Sequence, residues 1–366
     1  MKKFQQILTL ALSLGFLAVF SAWFLIAPDA EESTVERRRL AKRPALSFSS
    51  VTNGSFMNGF EKYMLDQFPL RNGFRGLKAA VNAKVFMKKD NNGLYSVGKH
   101  LSKLDFPTDA ESVDHAARCF RYVYDTYLRN AGTKTYLSVI PDKNTFIASQ
   151  NGYPDKDYKA LTERLRSGFP EAKYIDISGL LSSDDFYYTD SHWRQERITK
   201  VADEIAAQMG AERIGTCEIQ DTGRPFYGVY YGQAALPHAP ERLFYLDNAV
   251  IRGLQVYNVE TSSDIPVYDL GAAAGRDPYE MFLGGARSII RITNPNAAQE
   301  RRLIVFRDSF GSSIAPLLAA GYSEITLVDI RYISPLSLGK LIDFTKADDA
   351  LFLYSASVIN NSETIK

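Results

Sequence analysis

The chain is poor in several residue types that would commit it to particular chemistries. It has two cysteines, Cys119 and Cys217. They show no Cys-x-x-Cys spacing, which argues against a zinc or thioredoxin-like site. Two states stay open for them: a single disulfide outside the cell, or two buried free thiols, the commoner state of an unpaired cysteine. Charge of one sign is also lacking, since 43 Lys and Arg face 42 Asp and Glu. Without a basic surplus to neutralise phosphates, no nucleic-acid partner is expected. Histidines number 4 and tryptophans 2, so the adjacent pair His192-Trp193 stands out. There is no internal repeat and no low-complexity tract.

What is present suits a globular body. Over 366 residues, 45% are hydrophobic and 23% charged, ordinary values for a chain with a core. The N-terminus departs from this. Lys2 and Lys3 precede an uncharged apolar run, Ile7 to Ala27, of about 20 residues, the length of a bilayer-spanning helix. A cleavable signal has a shorter core and a small-residue cleavage site, whereas Trp23, Phe24, Leu25 and Ile26 end this run. The pattern predicts an uncleaved signal anchor over residues 1–27, with cleavage as the alternative. The two lysines favour a start in the cytoplasm and a body outside the cell membrane, against Arg37, Arg38 and Arg39 on the far side, which Glu31, Glu32 and Glu36 accompany. Residues 28–50 read as a polar linker, and 51–366 as the body.

Within the body, residues 55–89 show helical spacing interrupted at Pro69, and a small extended segment follows near Gly93–Leu104. Thr108 to Glu111 resembles a capping box opening a helix that runs to Asn130. A regular alternation comes next. Strands are predicted at Thr135–Ile140, Lys173–Ile177, Leu303–Phe306, Glu324–Val328 and Ala350–Tyr354. Helices are predicted at Asp155–Ser167, Arg194–Met209, Ser312–Ala320 and Leu338–Thr345. Apolar strands separated by helices imply a parallel sheet covered on both faces. Residues 215–300 break this rhythm with dense turns and short alternating runs, and read as an inserted, mostly extended subdomain or lid.

Two places carry chemistry. In Asp190-Ser191-His192-Trp193, the carboxylate and imidazole are two residues apart, so in extended chain they project to one side. A carboxylate so placed can fix the imidazole tautomer, the orienter-to-base half of a Ser-His-Asp triad. The blander reading makes Asp190 a helix cap. Trp193 can wall the site. The second place is the strand Leu303–Phe306 followed by Arg307-Asp308-Ser309-Phe310-Gly311. Ligands bind at the carboxyl ends of strands in open α/β sheets, and N–H groups here, Gly311 included, lie at a helix start where they can hold an oxyanion. Serine needs an adjacent base, and His192 is the candidate. The alternative reading is again a plain N-cap. Lys143 and Asn144 follow a strand end and face either the cleft or solvent. Arg307 binds an anionic sugar or is a surface charge.

These residues resemble the DHHW family of bacterial cell-surface proteins, whose motif here reads Asp190-Ser191-His192-Trp193. That family is similar to the alginate O-acetylation proteins with an SGNH-hydrolase-like domain. The resemblance spans nearly all of the chain after the anchor. It includes Glu36-Arg37-Arg38-Arg39-Leu40-Ala41-Lys42-Arg43-Pro44, Asp66-Gln67-Phe68-Pro69-Leu70-Arg71, Pro141-Asp142-Lys143, Arg307-Asp308-Ser309 and Val328-Asp329-Ile330-Arg331-Tyr332. It implies an α/β fold, an SGNH-like three-layer sandwich with a parallel sheet. It also implies Ser309 as nucleophile, His192 as base and Asp190 as orienter, with no metal and no cofactor. The implied activity is O-acetyl transfer to an extracellular or cell-wall polysaccharide through an acyl-serine, with a multi-pass membrane acyltransferase as acetyl supplier. An acetyl esterase with the same triad and a non-catalytic glycan-binding or assembly protein are the alternatives. One stretch departs from the family: Gly284-Gly285-Ala286-Arg287 stands where relatives have Gly-Gly-Asn-His. If that Asn is an oxyanion donor, its loss costs about 10²–10³ in turnover, and the Gly285 N–H is left to serve.

Overall fold

The computed structural model describes residues 2–366 and divides into two units. The first comprises residues 2–92 with 231–237. Its helix α1, Lys2–Ile26, is the one helix among the described residues long and apolar enough to cross a membrane. After a short helix at Phe48–Thr52, two longer helices follow, α2 (Ser55–Gln67) and α3 (Arg71–Lys84). They break at Phe68-Pro69 because proline cannot donate within a helix and restricts the residue before it.

The second unit comprises residues 93–230 and 238–366. A small hairpin, Leu94–Val97 with His100–Lys103, begins it. Then come α4 (Ala110–Val123), β1 (Lys134–Ile140), α5 (Tyr158–Gly168), β2 (Lys173–Tyr174) and α6 (Thr199–Met209). The stretch read as an insertion supplies β3 (Glu218–Phe226), β4 (Glu241–Asp247), β5 (Gln255–Asn258), β6 (Ser263–Ile265) and β7 (Ile289–Thr293). The chain closes with β8 (Arg302–Arg307), α7 (Gly311–Leu318), β9 (Glu324–Val328) and β10 (Asp349–Ser355).

Eight strands form the central sheet, in the order β6-β5-β7-β9-β8-β10-β1-β2. From β9 to β2 all pairings are parallel. The expected parallel sheet is therefore mixed, because β5, β6 and β7 add to the β9 edge in antiparallel fashion. Part of the insertion thus extends the sheet, while β3 and β4 make a separate antiparallel hairpin.

Alternation along the strands builds two cores, one per face. Leu303 and Val305 point to the core that holds α6 and α7 (Val201, Ile205, Ile314, Leu317). Ile304 and Phe306 point to the core that holds α4 and α5 (Val113, Phe120, Leu161, Leu165). The three-layer α/β sandwich follows from that alternation.

Several expected boundaries shift for local reasons. Asp109 caps α4 by accepting from the Ser112 N–H at 3.0 Å, so the cap is not the Thr108–Glu111 box. The helix expected from Arg194 begins at Thr199, after a 3-10 turn at Gln195–Arg197. Trp193 and Arg194 are held extended by pairing with Phe186 and Asp185. The helix expected over Leu338–Thr345 is two 3-10 turns, Pro335–Lys340 and Phe344–Lys346, with the Asp343 side chain capping the second. Both cysteines are free, as the simpler reading held, but they are only partly buried.

Candidate active site

Ser309 stands in the turn between β8 and α7, at the carboxyl end of a central strand. Asp308 shapes this turn from below. One of its carboxylate oxygens accepts from the Phe310 N–H at 3.0 Å, and the other from the Ser355 N–H at the end of neighbouring β10 at 2.8 Å. Gly311 gives the turn room, since a Cβ there would lie 2.6 Å from the Arg307 Cβ.

The loop before α6 brings the other two groups. His192 Nε2 lies 2.7 Å from Ser309 Oγ. His192 Nδ1 lies 2.6 Å from Asp190 Oδ1, and the His192 backbone N–H donates to the same oxygen at 3.1 Å. Asp190 is fully buried, and its second oxygen accepts from the Val229 N–H at 2.8 Å. Ser309 and His192 both keep some exposure to solvent. The structure thus brings together the three residues singled out in the sequence. A buried carboxylate holding the imidazole N–H leaves the other ring nitrogen as acceptor toward the serine hydroxyl.

The six weaker site expectations fare differently. Trp193 is buried and donates from Nε1 to Ser313 Oγ at 2.8 Å, with its ring edge-on to Phe310 at 5.4 Å. It backs the site and does not line a cleft. Lys143 faces neither cleft nor solvent. It is 2% exposed and donates to the carbonyls of Tyr187 (2.8 Å), Tyr188 (3.0 Å) and Asp190 (2.9 Å). Burial pulls its pKa down to about 7, while the Glu241 and Asp190 carboxylates pull it up. Asn144 is also buried, accepting from the Tyr95 hydroxyl and donating to Asp155 at 2.8 Å.

Arg307 is no surface charge. It is fully buried beneath Gly311, near Asp329 at 3.9 Å, and burial lowers its pKa. Two N–H groups expected to serve an oxyanion are spent on turns: Gly285 donates to the Phe282 carbonyl and Gly311 to the Asp308 carbonyl, each at 3.1 Å. Ser312 donates to the Ser309 carbonyl at 3.2 Å. Among the N–H groups of this turn, that of Ser309 is the one these bonds leave over.

Three residues of the 215–300 stretch complete the surroundings and were not singled out by sequence. Tyr279 stacks on the His192 ring at 3.9 Å with an interplanar angle of 12°, and its hydroxyl donates to Ser313 Oγ at 2.8 Å. Glu241 is buried and accepts from the N–H groups of Tyr188 (2.7 Å) and Thr189 (2.9 Å) and from Arg194 (2.5 Å). Gly228 passes so close to the loop that a Cβ would collide with the Thr189 carbonyl. No periodicity marks these positions; a glycine beside Val229 is the only local hint.

A mixed sheet whose central strands run parallel, with helices on both faces and a serine at a strand end, fits an SGNH-hydrolase-like α/β fold. Within that class the chain shares the fold of a DHHW family protein from Eubacterium siraeum DSM 15702, with a TM-score of 0.59 and 17% identity over 75% of this chain and 95% of that one. Bacillus cereus PatB1, solved with a sulfonyl adduct, is similar at a TM-score of 0.58 and 17% identity, over 73% of this chain and 97% of that one. The O-acetyltransferase domain of Pseudomonas putida AlgJ gives a TM-score of 0.46 at 14% identity, over 73% of this chain and 92% of that one. No protein-family model and no curated protein sequence matches the chain.

Proposed function

We propose that the chain is a membrane-anchored serine acyl-ester enzyme that transfers acetyl groups to an extracellular or cell-wall polysaccharide. The observation that carries this reading is the hydrogen-bonded line Asp190–His192–Ser309, at 2.6 and 2.7 Å. His192 takes the proton of Ser309 as Oγ attacks the acetyl carbonyl. Asp190 steadies the imidazolium, and the Ser309 N–H donates to the oxyanion. Collapse expels the donor's alkoxide, which takes the proton from His192. In the second half, His192 deprotonates a sugar hydroxyl that attacks the acyl-serine, giving the acetylated sugar and free Ser309.

A multi-pass membrane acyltransferase is the proposed acetyl supplier. Helix α1 is the anchor, and Lys2 and Lys3 favour a body outside the cell. The partial exposure of Ser309 and His192 favours a second reading, acetyl esterase, in which water replaces the sugar. The sulfonyl adduct reported for PatB1 supports the class, since sulfonyl groups are captured by nucleophiles.

The test is acetyl release from p-nitrophenyl acetate by the wild type and by Ser309→Ala. Loss of the nucleophile is expected to remove most of the rate, up to about 10⁶-fold. Adding an oligosaccharide acceptor and weighing the products separates transfer from hydrolysis. Equal slow rates in both proteins would leave a non-catalytic surface protein.

A further inference from the structure

The triad explains neither of the two sequence segments near the anchor that resemble family signatures. In the structure these segments bind each other. Arg38 donates to both oxygens of Asp66, and the Ala41 N–H donates to Asp66 at 2.8 Å. Glu36 pairs with Arg71 and with Arg75 at 3.1 Å. Gln67 exchanges two 2.9 Å hydrogen bonds with Ala30, and Tyr63 donates to Asp29 at 2.7 Å. This latch holds α2 and α3 to the chain that leaves α1.

The latched corner also touches α1 itself. Phe20 stacks on Phe68 at 5.5 Å and meets Phe74 edge-on at 5.7 Å, while Phe24 meets Tyr63 at 5.4 Å. Phe20 lies about 9 Å before the end of α1 at Ile26, at about 1.5 Å of rise per residue. Lipid that surrounds α1 to that depth therefore reaches the corner as well.

The outward side of α3 fits such surroundings. Leu70, Phe74, Leu77, Val81 and Val85 follow one another at intervals of three and four, one stripe of a helix. Leu70 is 60%, Leu77 59% and Val85 67% exposed. Leu70 holds this position with a positive φ of 57°, a costly backbone state for a leucine. On the helix Lys78 and Lys84 flank the stripe, and Lys88 and Lys89 follow in sequence, with Asp90 the only acid from 78 to 90.

We propose that α3 lies in the lipid–water interface at the C-terminal end of α1, its Leu70–Val85 stripe among acyl chains and its lysines at anionic headgroups. The α2–α3 corner is then a second membrane contact, built as basic amphipathic interfacial helices are. This rests on the reading of α1 as a membrane anchor.

The test uses the full chain with Cys119→Ser and Cys217→Ser, carrying one nitroxide at a time in phosphatidylglycerol–phosphatidylcholine vesicles. Labels are placed through Leu77→Cys, Val85→Cys, Leu14→Cys in α1 and Lys340→Cys on an exposed turn of the second unit. Relaxation by oxygen is compared with relaxation by a nickel chelate. Positions 77 and 85 are expected to favour oxygen several-fold, as position 14 does, and 340 to favour nickel. Removing phosphatidylglycerol should weaken the preference at 85. If 77 and 85 behave like 340 while 14 stays lipid-like, the interfacial helix is wrong and the anchor stands. Shielding of 77 and 85 from both agents would mean a protein contact and also overturns it. A nickel preference at 14 would instead refute the anchor.

Discussion

The turn that carries Ser309 takes one of its two side-chain ties from its own stretch of chain and one from a strand end, whereas the loop that carries His192 is held chiefly by groups from distant stretches. Asp308, one residue before Ser309, ties its turn to the following N–H and to the adjacent strand end. The 187–192 loop has Lys143 under three of its carbonyls, Glu241 on two of its N–H groups and Tyr279 against its imidazole. Two of those three residues come from the 215–300 stretch. The nucleophile is thus a product of local strand-to-helix geometry, and the base a product of tertiary packing. The insertion, read from sequence as a subdomain or lid, supplies two of the groups that position the base.

That contrast can be broken most forcefully at Glu241. Glu241→Ala takes from Arg194 its nearest carboxylate and leaves the Tyr188 and Thr189 N–H groups without their acceptor. Breaking a buried pair of this kind costs about 3–5 kcal/mol, so the denaturant midpoint should fall sharply, with Glu241→Gln milder. An unchanged midpoint would mean that the base loop supports itself.

Lys143→Met comes next. It removes the three donors that gather the loop carbonyls but also removes a cation that is costly to bury, so the fold should survive. A displacement of about 1 Å at the base costs about 10²-fold in rate, and kcat against p-nitrophenyl acetate should drop by that order with KM little changed. Lys143 is a positioning residue, so sulfonylation of Ser309 by a sulfonyl fluoride should slow in parallel.

The smallest effect concerns His100, whose ring meets Tyr188 of the base loop edge-on at 4.9 Å. Burial lowers its pKa from 6.5 to about 4, and the nearby Lys143 adds to this. The unfolded chain therefore binds a proton between these values that the folded chain refuses. Stability should fall as pH drops from 6.5 toward 4. His100→Gln should flatten that part of the Tm profile and leave pH 7.5 unaffected. Parallel profiles for both proteins would show that the ring is not sheltered.

Much of this division was legible beforehand. The strands at 303–306, 324–328 and 350–354 are short apolar runs bounded by turns, and such runs read as buried parallel strands. Asp190, His192 and Ser309 carried local signals: a spacing of two, and a serine at a strand end. The antiparallel edge was hidden, because the pairing of β7 with β9 is set by partners distant in sequence. Glu241 and Tyr279 were hidden for the same reason. Lys143 and Arg307 misled, since a charge at a strand end reads as solvent-facing until its carbonyl or carboxylate partners are seen.

The most direct test of a serine activated by His192 is the site and rate of sulfonylation. Phenylmethylsulfonyl fluoride is added to the wild type and to His192→Ala, and the adduct is mapped by peptide mass. A single adduct on Ser309 is expected, forming orders of magnitude more slowly in His192→Ala. An adduct elsewhere, or equal rates on Ser309 in both proteins, would contradict it.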